Sequence, residues 1–387
     1  MGRWEMMALG CCWLVGVNGS AIGQQAVAGT TKPAVPSWHQ KAVKFGEGTP
    51  VLGLPGEELS ASHCSADGTV FFENESRNKH LARPDDDIYS VAMDGEVKRL
   101  HWEMPPLEFN GVEAIDFFTS SSELVTLFRA EKYDPDKEGP IDEAAYFIST
   151  SDHDGDGGKL VRLDIKFRPL KVARLGRGDF ILLGWDEANL LPELALLKPD
   201  GTLRRFIDLD NKPSDGGLDP FTMKGAAGKQ SGDELQSLGD AEFSAFGDQV
   251  LLAQRWSNAA VHVLSGVGEE RKIPVEFPAG FLLRDILPSM GNWTMVVRMA
   301  DRRPFRATNV PPPPQVDRVF EVDSNHGSLV REFTFNTPSA ADVTCAPAGK
   351  IAAMYQRRLP NAAGADDGSD GNKSQQKTEL VVATALR

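Results

Sequence analysis

Residues 169–210, PLKVARLGRGDFILLGWDEANLLPELALLKPDGTLRRFIDLD, hold four short apolar runs divided by turn signals. The runs span 170–175, 179–185, 193–198 and 202–208. Gly176-Arg177-Gly178-Asp179 separates the first two, Asn189 and Pro192 the next, and Pro199-Asp200-Gly201 the last. Asp-Gly between apolar runs is a strong hairpin signal, because the glycine accepts the left-handed backbone such a turn needs. Four antiparallel strands in about forty residues make one propeller blade.

The same unit recurs along the chain. CSADGTVFF and DIYSVAMDGEVKRL form a first copy, and VEAIDFF, ELVTLFRA, AAYFIST and KLVRLDI a second. The opening stretch is the third. A polar insertion at 212–237 precedes a fourth, AEFSAF, QVLLAQRW, AAVHVLS and RKIPVEF. A fifth runs FLLRDIL, WTMVVRMA, VDRVFEVD and LVREFTF, and a sixth ADVTCA, KIAAMYQRR and TELVVATAL. Inner turns fall near 68, 121, 178, 247, 291 and 349. Outer turns fall near 95, 157, 201, 267 and 327. No long stretch shows the three-to-four spacing of an amphipathic helix. The chain reads as all-β, a six-bladed propeller over 42–387. One of AVKF and TPVLGL, before the first unit, is expected to add a strand to the last blade and close the ring.

The segments CSADGTVFF, DIYSVAMDGEVKRL, LALLKPDGTLRRF, VFEVDSNHGSLVREF and CAPAGKIAAMY resemble the six-bladed propellers of the TolB-like and SMP-30/NHL-like kind. The resemblance covers 42–387 and rests on turn-and-strand patterns, so it implies architecture and not an activity. SMP-30-like lactonases supply a metal-binding Glu from the first inner strand. Here that strand carries Ser62 and His63, and the nearest acids, Glu57 and Glu58, lie too far from the turn.

The chain has 387 residues and a formal net charge of -14. An acidic surface repels phosphate backbones, which argues against a nucleic-acid partner. Arg3, the apolar run Ala8–Val17 and the small-x-small triplet Ala21-Ile22-Gly23 have the form of an export signal over 1–23. Residues 24–41 read as a disordered lead-in. The apolar run is too short to span a bilayer, so after cleavage no integral membrane segment is expected. Export to the periplasm or the extracellular space follows. Past the leader, Cys64 and Cys345 remain, each four residues before an inner turn, on the first and last blades. They form one bridge or stand as two buried thiols. Equivalent positions on neighbouring inner strands often exceed the roughly 7 Å Cα limit for a disulfide.

The sharpest local motif is Ser151-Asp152-His153-Asp154-Gly155-Asp156-Gly157-Gly158. Asp152, Asp154 and Asp156 alternate around a glycine bend, as in a Ca²⁺ loop. An acid at the twelfth position is missing (Leu163), and so is one at the ninth (Leu160). A solvated Asp/Gly hairpin is the competing expectation.

Inner strands of a propeller start at the mouth of the central channel. Counting about seven residues back from each inner turn gives Ala61, Ala114, Lys171, Asp240, Arg284 and Asp342, with His63, Glu113, Asp116, Glu242 and Asp285 beside them. Glu113, Lys171, Asp240, Glu242, Arg284, Asp285 and Asp342 are therefore the candidate ligand-binding set. The chain lacks HExxH, CxxC, GxSxG and a complete P-loop; GAAGKQS at 225–231 is expected to be a flexible loop. His262, inside AAVHVLS, is expected to be a packed strand residue. The expected function is an exported binding module for a protein, glycan or small polar ligand. The alternative is a metal-assisted, lactonase-like hydrolase at the channel mouth, and Ca²⁺ is the one cofactor the sequence suggests.

Overall fold

Apolar runs punctuated by Asp/Gly turns become β-strands, and among the described residues there is no helix. The computed structural model describes residues 43–47, 49–54, 59–74, 88–100, 103–134, 136, 140, 143–186, 191–207, 209, 240–257, 260–288, 292–299, 317–336, 342–346, 350–358 and 376–384. The expected leader, the lead-in and the loops 212–237 and 301–315 lie outside these residues.

The strands β1 (Val43–Glu47) and β2 (Thr49–Leu54) precede the repeats. Blade 1 is β3 (Leu59–Cys64), β4 (Val70–Asn74), β5 (Ile88–Val91) and β6 (Val97–Leu100). Blade 2 is β7 (Gly111–Thr119), β8 (Glu123–Glu131), β9 (Ala145–Asp152) and β10 (Lys159–Arg162). Blade 3 is β11 (Arg168–Arg174), β12 (Phe180–Asp186), β13 (Leu191–Leu197) and β14 (Leu203–Phe206). Blade 4 is β15 (Ala241–Phe246), β16 (Gln249–Gln254), β17 (Val261–Ser265) and β18 (Gly268–Ile273). Blade 5 is β19 (Phe281–Leu287), β20 (Trp293–Met299), β21 (Asp317–Val322) and β22 (Leu329–Asn336). Blade 6 is β23 (Asp342–Cys345), β24 (Lys350–Arg358) and β25 (Gln376–Thr384). Each repeat pairs its strands antiparallel in chain order. The chain is a six-bladed β-propeller.

The turns work as their composition predicts. At Asp94, Asp152, Asp200 and Asp323 a side-chain oxygen accepts the backbone N–H two residues on. That local bond fixes the bend, and a positive-φ glycine completes it. Two of these glycines also dock one blade on the previous one. A Cβ on Gly201 would lie 2.6 Å from the Arg162 carbonyl oxygen, and one on Gly327 2.0 Å from that of Pro274.

The apolar core lies between blades. Phe71 and Ile88 of blade 1 meet Phe117 and Leu124 of blade 2. Blades 2, 3 and 4 share a cluster through Leu127, Val172, Leu182 and Phe243. Leu251 and Val263 of blade 4 pack with Trp293 and Met295 of blade 5, and Val296 and Val319 of blade 5 with Val343 and Ile351 of blade 6. Blades 6 and 1 join through Val70, Phe72, Ala352 and Leu380. Second strands are consequently buried on both faces; FILLGW in β12 is buried throughout, the pattern of a strand covered on two sides.

Both N-terminal pieces are used. β2 pairs antiparallel with β25, so blade 6 takes its outermost strand from the start of the chain, and the ring closes as expected. β1 adds a parallel fifth strand to blade 5, on β22. At the same seam Cys64 of β3 and Cys345 of β23 are disulfide-bonded, with Cα atoms 5.3 Å apart. The two innermost strands thus come closer than the general spacing argument allows.

The bridge closes a loop of 281 residues, a span over which restricting the unfolded chain stabilises a protein by about 2–4 kcal/mol. Cys345→Ala is expected to lower the unfolding free energy by about that amount. Reductant should produce the same loss in the wild type and none in the variant. Equal urea midpoints for oxidised wild type and variant would remove the staple from the account.

Candidate functional site

The inner strands leave a cavity of about 370 Å³ on the propeller axis, and every blade contributes to its wall. Blade 1 supplies Ser62, His63 and Cys64, and blade 2 Asp116, Phe118 and Thr119. Blade 3 supplies Lys171, and blade 4 Glu242, Ser244 and Arg255. Blade 5 supplies Arg284, Asp285 and Leu287, and blade 6 Asp342 and Thr344.

Five of the seven predicted positions line it: Lys171, Glu242, Arg284, Asp285 and Asp342. Two do not. Glu113 stands toward the rim, with its side chain 68% exposed and 4.0 Å from Arg129. Asp240 precedes β15 and accepts the Arg255 N–H through its carbonyl at 2.8 Å. The miscount has a structural cause. Five of the six inner strands carry a register shift, at Leu59/Ser62, Ala114/Asp116, Pro169/Lys171, Leu283/Asp285 and Val343/Cys345. An extra residue re-aims the side chains beyond it, so a fixed count from the turn lands at a different depth in each blade.

Lys171 is the hub of the ring. Its Nζ lies 3.4 Å from Asp116 Oδ1 and 3.6 Å from Glu242 Oε1. Asp116 Oδ2 also accepts the Val172 N–H at 2.8 Å. Arg255 Nη1 donates to Glu242 Oε1 at 3.0 Å, and its Nε to the Arg284 carbonyl at 2.9 Å. Asp285 Oδ1 accepts the Ile286 N–H at 2.8 Å. Behind this row, Arg284 and Arg298 both reach Asp317 and Asp342, at 2.6–3.3 Å. Arg255 and Arg298 are not legible from the inner-strand spacing, because they sit at the far ends of the second strands β16 and β20.

Burial sets the proton inventory. It is the main reason Asp116 is pushed up to about 6; Glu242 adds to the rise and Lys171 opposes it. Asp285 also rises to about 6, through burial first and then Glu242, against Arg255 and Arg284. Burial works to raise Glu242 as well, but Lys171 and Arg255 outweigh it and hold that carboxyl below its ordinary value. Lys171 is raised despite its own burial, because Asp116 and Glu242 favour its charged form. His63 is held down at about 4, chiefly by burial; Glu242 pulls it up, and Lys171 and Arg255 push it down. Its ring meets Phe117 edge-on at 4.6 Å. At neutral pH the wall therefore holds fixed charges of both signs, a neutral imidazole and two carboxyls close to their titration range.

The Ser244 hydroxyl is buried and has no hydrogen-bond partner. Ser244 shares a face of β15 with Glu242, two residues away.

The aspartates of the 152–156 turn are engaged locally. Asp152 Oδ1 accepts the N–H groups of Asp154 and Asp156, at 3.0 and 2.8 Å. Asp154 is bonded to the Lys98 ammonium of blade 1. Among the described residues no group of three or more His, Cys, Asp and Glu is arranged to hold a metal. A cation in this turn would first have to displace Lys98. His262 is buried in β17, with Nδ1 2.6 Å from Glu269 Oε1.

No family model and no curated protein sequence matches the chain. Solved structures do. An α-L-arabinofuranosidase from Fusarium graminearum aligns over 89% of this chain and 98% of its own, at 12% identity and a TM-score of 0.41. The β-propeller domain of the Trilobed protease from Pyrococcus furiosus aligns over 76% of each chain, at 8% identity and TM-score 0.33. A dipeptidyl peptidase 4 from Porphyromonas gingivalis aligns over 77% of this chain at 12% identity and TM-score 0.35. This chain spans 42% of that peptidase's length.

Two outcomes test the site. On acidification from pH 6.5 to 4 the unfolded chain takes up a proton that folded His63 refuses, so His63 costs stability across that window. Asp116 and Asp285 act with the opposite sign: the folded chain takes up their protons first, and stability rises as pH falls from about 6 toward 4. His63→Gln should therefore gain roughly 2–3 kcal/mol on the wild type between pH 7 and pH 4.5. A constant gap between the two denaturation curves would refute this. At the 152–156 turn, EDTA and millimolar Ca²⁺ should give the same melting midpoint. A Ca²⁺-dependent rise that Asp154→Asn abolishes would restore the metal expectation.

Proposed function

We propose that this protein is an exported binding module that holds a small polar ligand in the channel cavity. The observation that carries this is the wall itself: charged side chains from blades 2 to 6 line one cavity, and Ser244, whose buried hydroxyl has no partner in the protein, is among the lining residues. Buried polar groups are normally satisfied, and a cavity that concentrates them is suited to a hydrogen-bonding guest. Export is supported by the composition of residues 1–23 and by the disulfide, a bond that persists in oxidising compartments. The acidic net charge disfavours nucleic acid. No helix among the described residues is long and apolar enough to cross a membrane.

The metal-assisted hydrolase fits the donor set less well. A divalent cation requires several oxygen ligands free to converge. Here Glu242 is engaged by Lys171 and Arg255, Asp116 by Lys171, and Asp342 by Arg284 and Arg298. The resemblance to TolB-like and SMP-30-like propellers stays at the level of architecture, and the first inner strand offers Ser62 and His63 where a lactonase offers a ligating Glu.

A thermal-shift panel of sugars, amino acids, dicarboxylates and nucleosides on the chain from Gln24 tests the proposal. At least one class should raise the melting midpoint, and Glu242→Gln should cancel the rise. Ser244→Ala removes a hydroxyl that bonds nothing in the protein, so its melting point should hold while affinity falls about three- to tenfold. Ligand shifts that survive both substitutions would place binding elsewhere.

A further inference from the structure

Among the described residues, Trp256 is the only non-glycine with a positive φ, at 56°. A bulky side chain in that region is strained, and such strain persists where the surroundings over-determine it. The surroundings do so here. Trp256 N–H donates to the Leu283 carbonyl at 2.6 Å, and Leu283 N–H to the Ser257 carbonyl at 2.8 Å. The preceding Arg255 N–H is held by Asp240 at 2.8 Å. These bonds pin the end of β16 to β19 of the next blade, at the mouth where the inner strands begin. The strain does not bury the indole: Trp256 is 43% exposed, whereas Trp185 and Trp293 are buried. Its ring lies 5.8 Å from the guanidinium of Arg255, the same side chain that enters the cavity and bonds Glu242. An exposed indole on a pinned backbone therefore stands beside Arg255, whose guanidinium lies over the ring and whose side chain lines the polar cavity.

The charge inside the cavity narrows the guest. Lys171, Arg255 and Arg284 face Asp116, Glu242, Asp285 and Asp342, and most of them are already paired with one another. Two of the acids titrate at about 6 and are mostly ionised at neutral pH. Four acids then face three cations, each cation has an acid partner, and no unpaired cation is left to call for an anionic guest. What remains is a dense set of oriented donors and acceptors, with the unpartnered Ser244 hydroxyl among them. Such a wall suits a neutral guest rich in hydroxyl groups. The indole suits a flat face of C–H groups, since an aromatic ring presents an apolar surface of fixed orientation.

We infer that the channel mouth is a saccharide site: a neutral sugar ring stacks on Trp256 while its hydroxyls, or those of the next ring, enter the cavity between Lys171, Glu242, Arg255 and Ser244. This rests on the cavity being the binding site and adds the class of ligand and the residue that selects it.

The test pairs Trp256→Gly with calorimetric titration of maltose, cellobiose, lactose, xylobiose and chitobiose, beside succinate, glutamate and adenosine. Glycine accepts the local backbone, so the variant should melt at the wild-type temperature or above it. At least one neutral saccharide should bind the wild type, and Trp256→Gly should weaken it about tenfold or more, with Trp256→Phe in between. A saccharide bound equally by Trp256→Gly would overturn the role of the indole. Binding of succinate, glutamate or adenosine alone, lost in Glu242→Gln, would overturn the saccharide assignment and leave the cavity as the site. Binding of none of the eight would overturn both. A lower melting point for Trp256→Gly would assign the strained residue to stability and overturn the inference as well.

Discussion

Closure of the ring is the constraint on which the rest depends. The blades bury their faces against their neighbours, and blade 2 adds a cluster of its own through Phe109, Val112, Phe128 and Phe147. An open ring would expose two blade faces at once, at about 25 cal/mol per Å² of apolar surface. The seam between blades 6 and 1 is accordingly reinforced three ways: by the β2–β25 pairing, by a shared apolar cluster, and by the Cys64–Cys345 bridge. The strand protects the outer edge and the disulfide fixes the inner one. The channel wall spans that seam, since His63 and Thr344 belong to the two blades being joined.

Converging six strand edges on one axis creates a second problem, which the polar residues answer. A wall of ionisable groups in a narrow space is costly unless the charges are paired and hydrogen-bonded. Lys171 serves two acids and Arg255 ties Glu242 to the backbone of blade 5. His63 avoids the cost by staying neutral, and Asp116 and Asp285 reduce it by binding protons more readily than an exposed carboxylate. The network holds side chains from neighbouring blades in register, and the same rigidity makes it a preorganised surface for a guest.

The strained Trp256 belongs to a different economy. Packing between blades accounts for the buried tryptophans, but not for an exposed one held in a left-handed backbone. Such residues persist where the surrounding structure over-determines them, and they cluster at functional sites.

The sequence by itself determined the blades. Asp/Gly turns encode their geometry within a few residues, because the aspartate bonds the backbone two positions on and the glycine supplies the left-handed φ; strand order and blade number follow from their spacing. Doubly buried runs such as FILLGW were legible for the same reason, since burial on both faces erases alternation. The site was legible only as a zone. Lys171, Glu242 and Asp285 emerged from counting, but Glu113 fell outside, because a bulge in an inner strand leaves no mark in composition. Which blades meet at Cys64 and Cys345, which cation serves which acid, and the exposure of Trp256 were decided by tertiary structure alone. Those properties depend on distances between residues remote in the chain, fixed only when six blades share one axis.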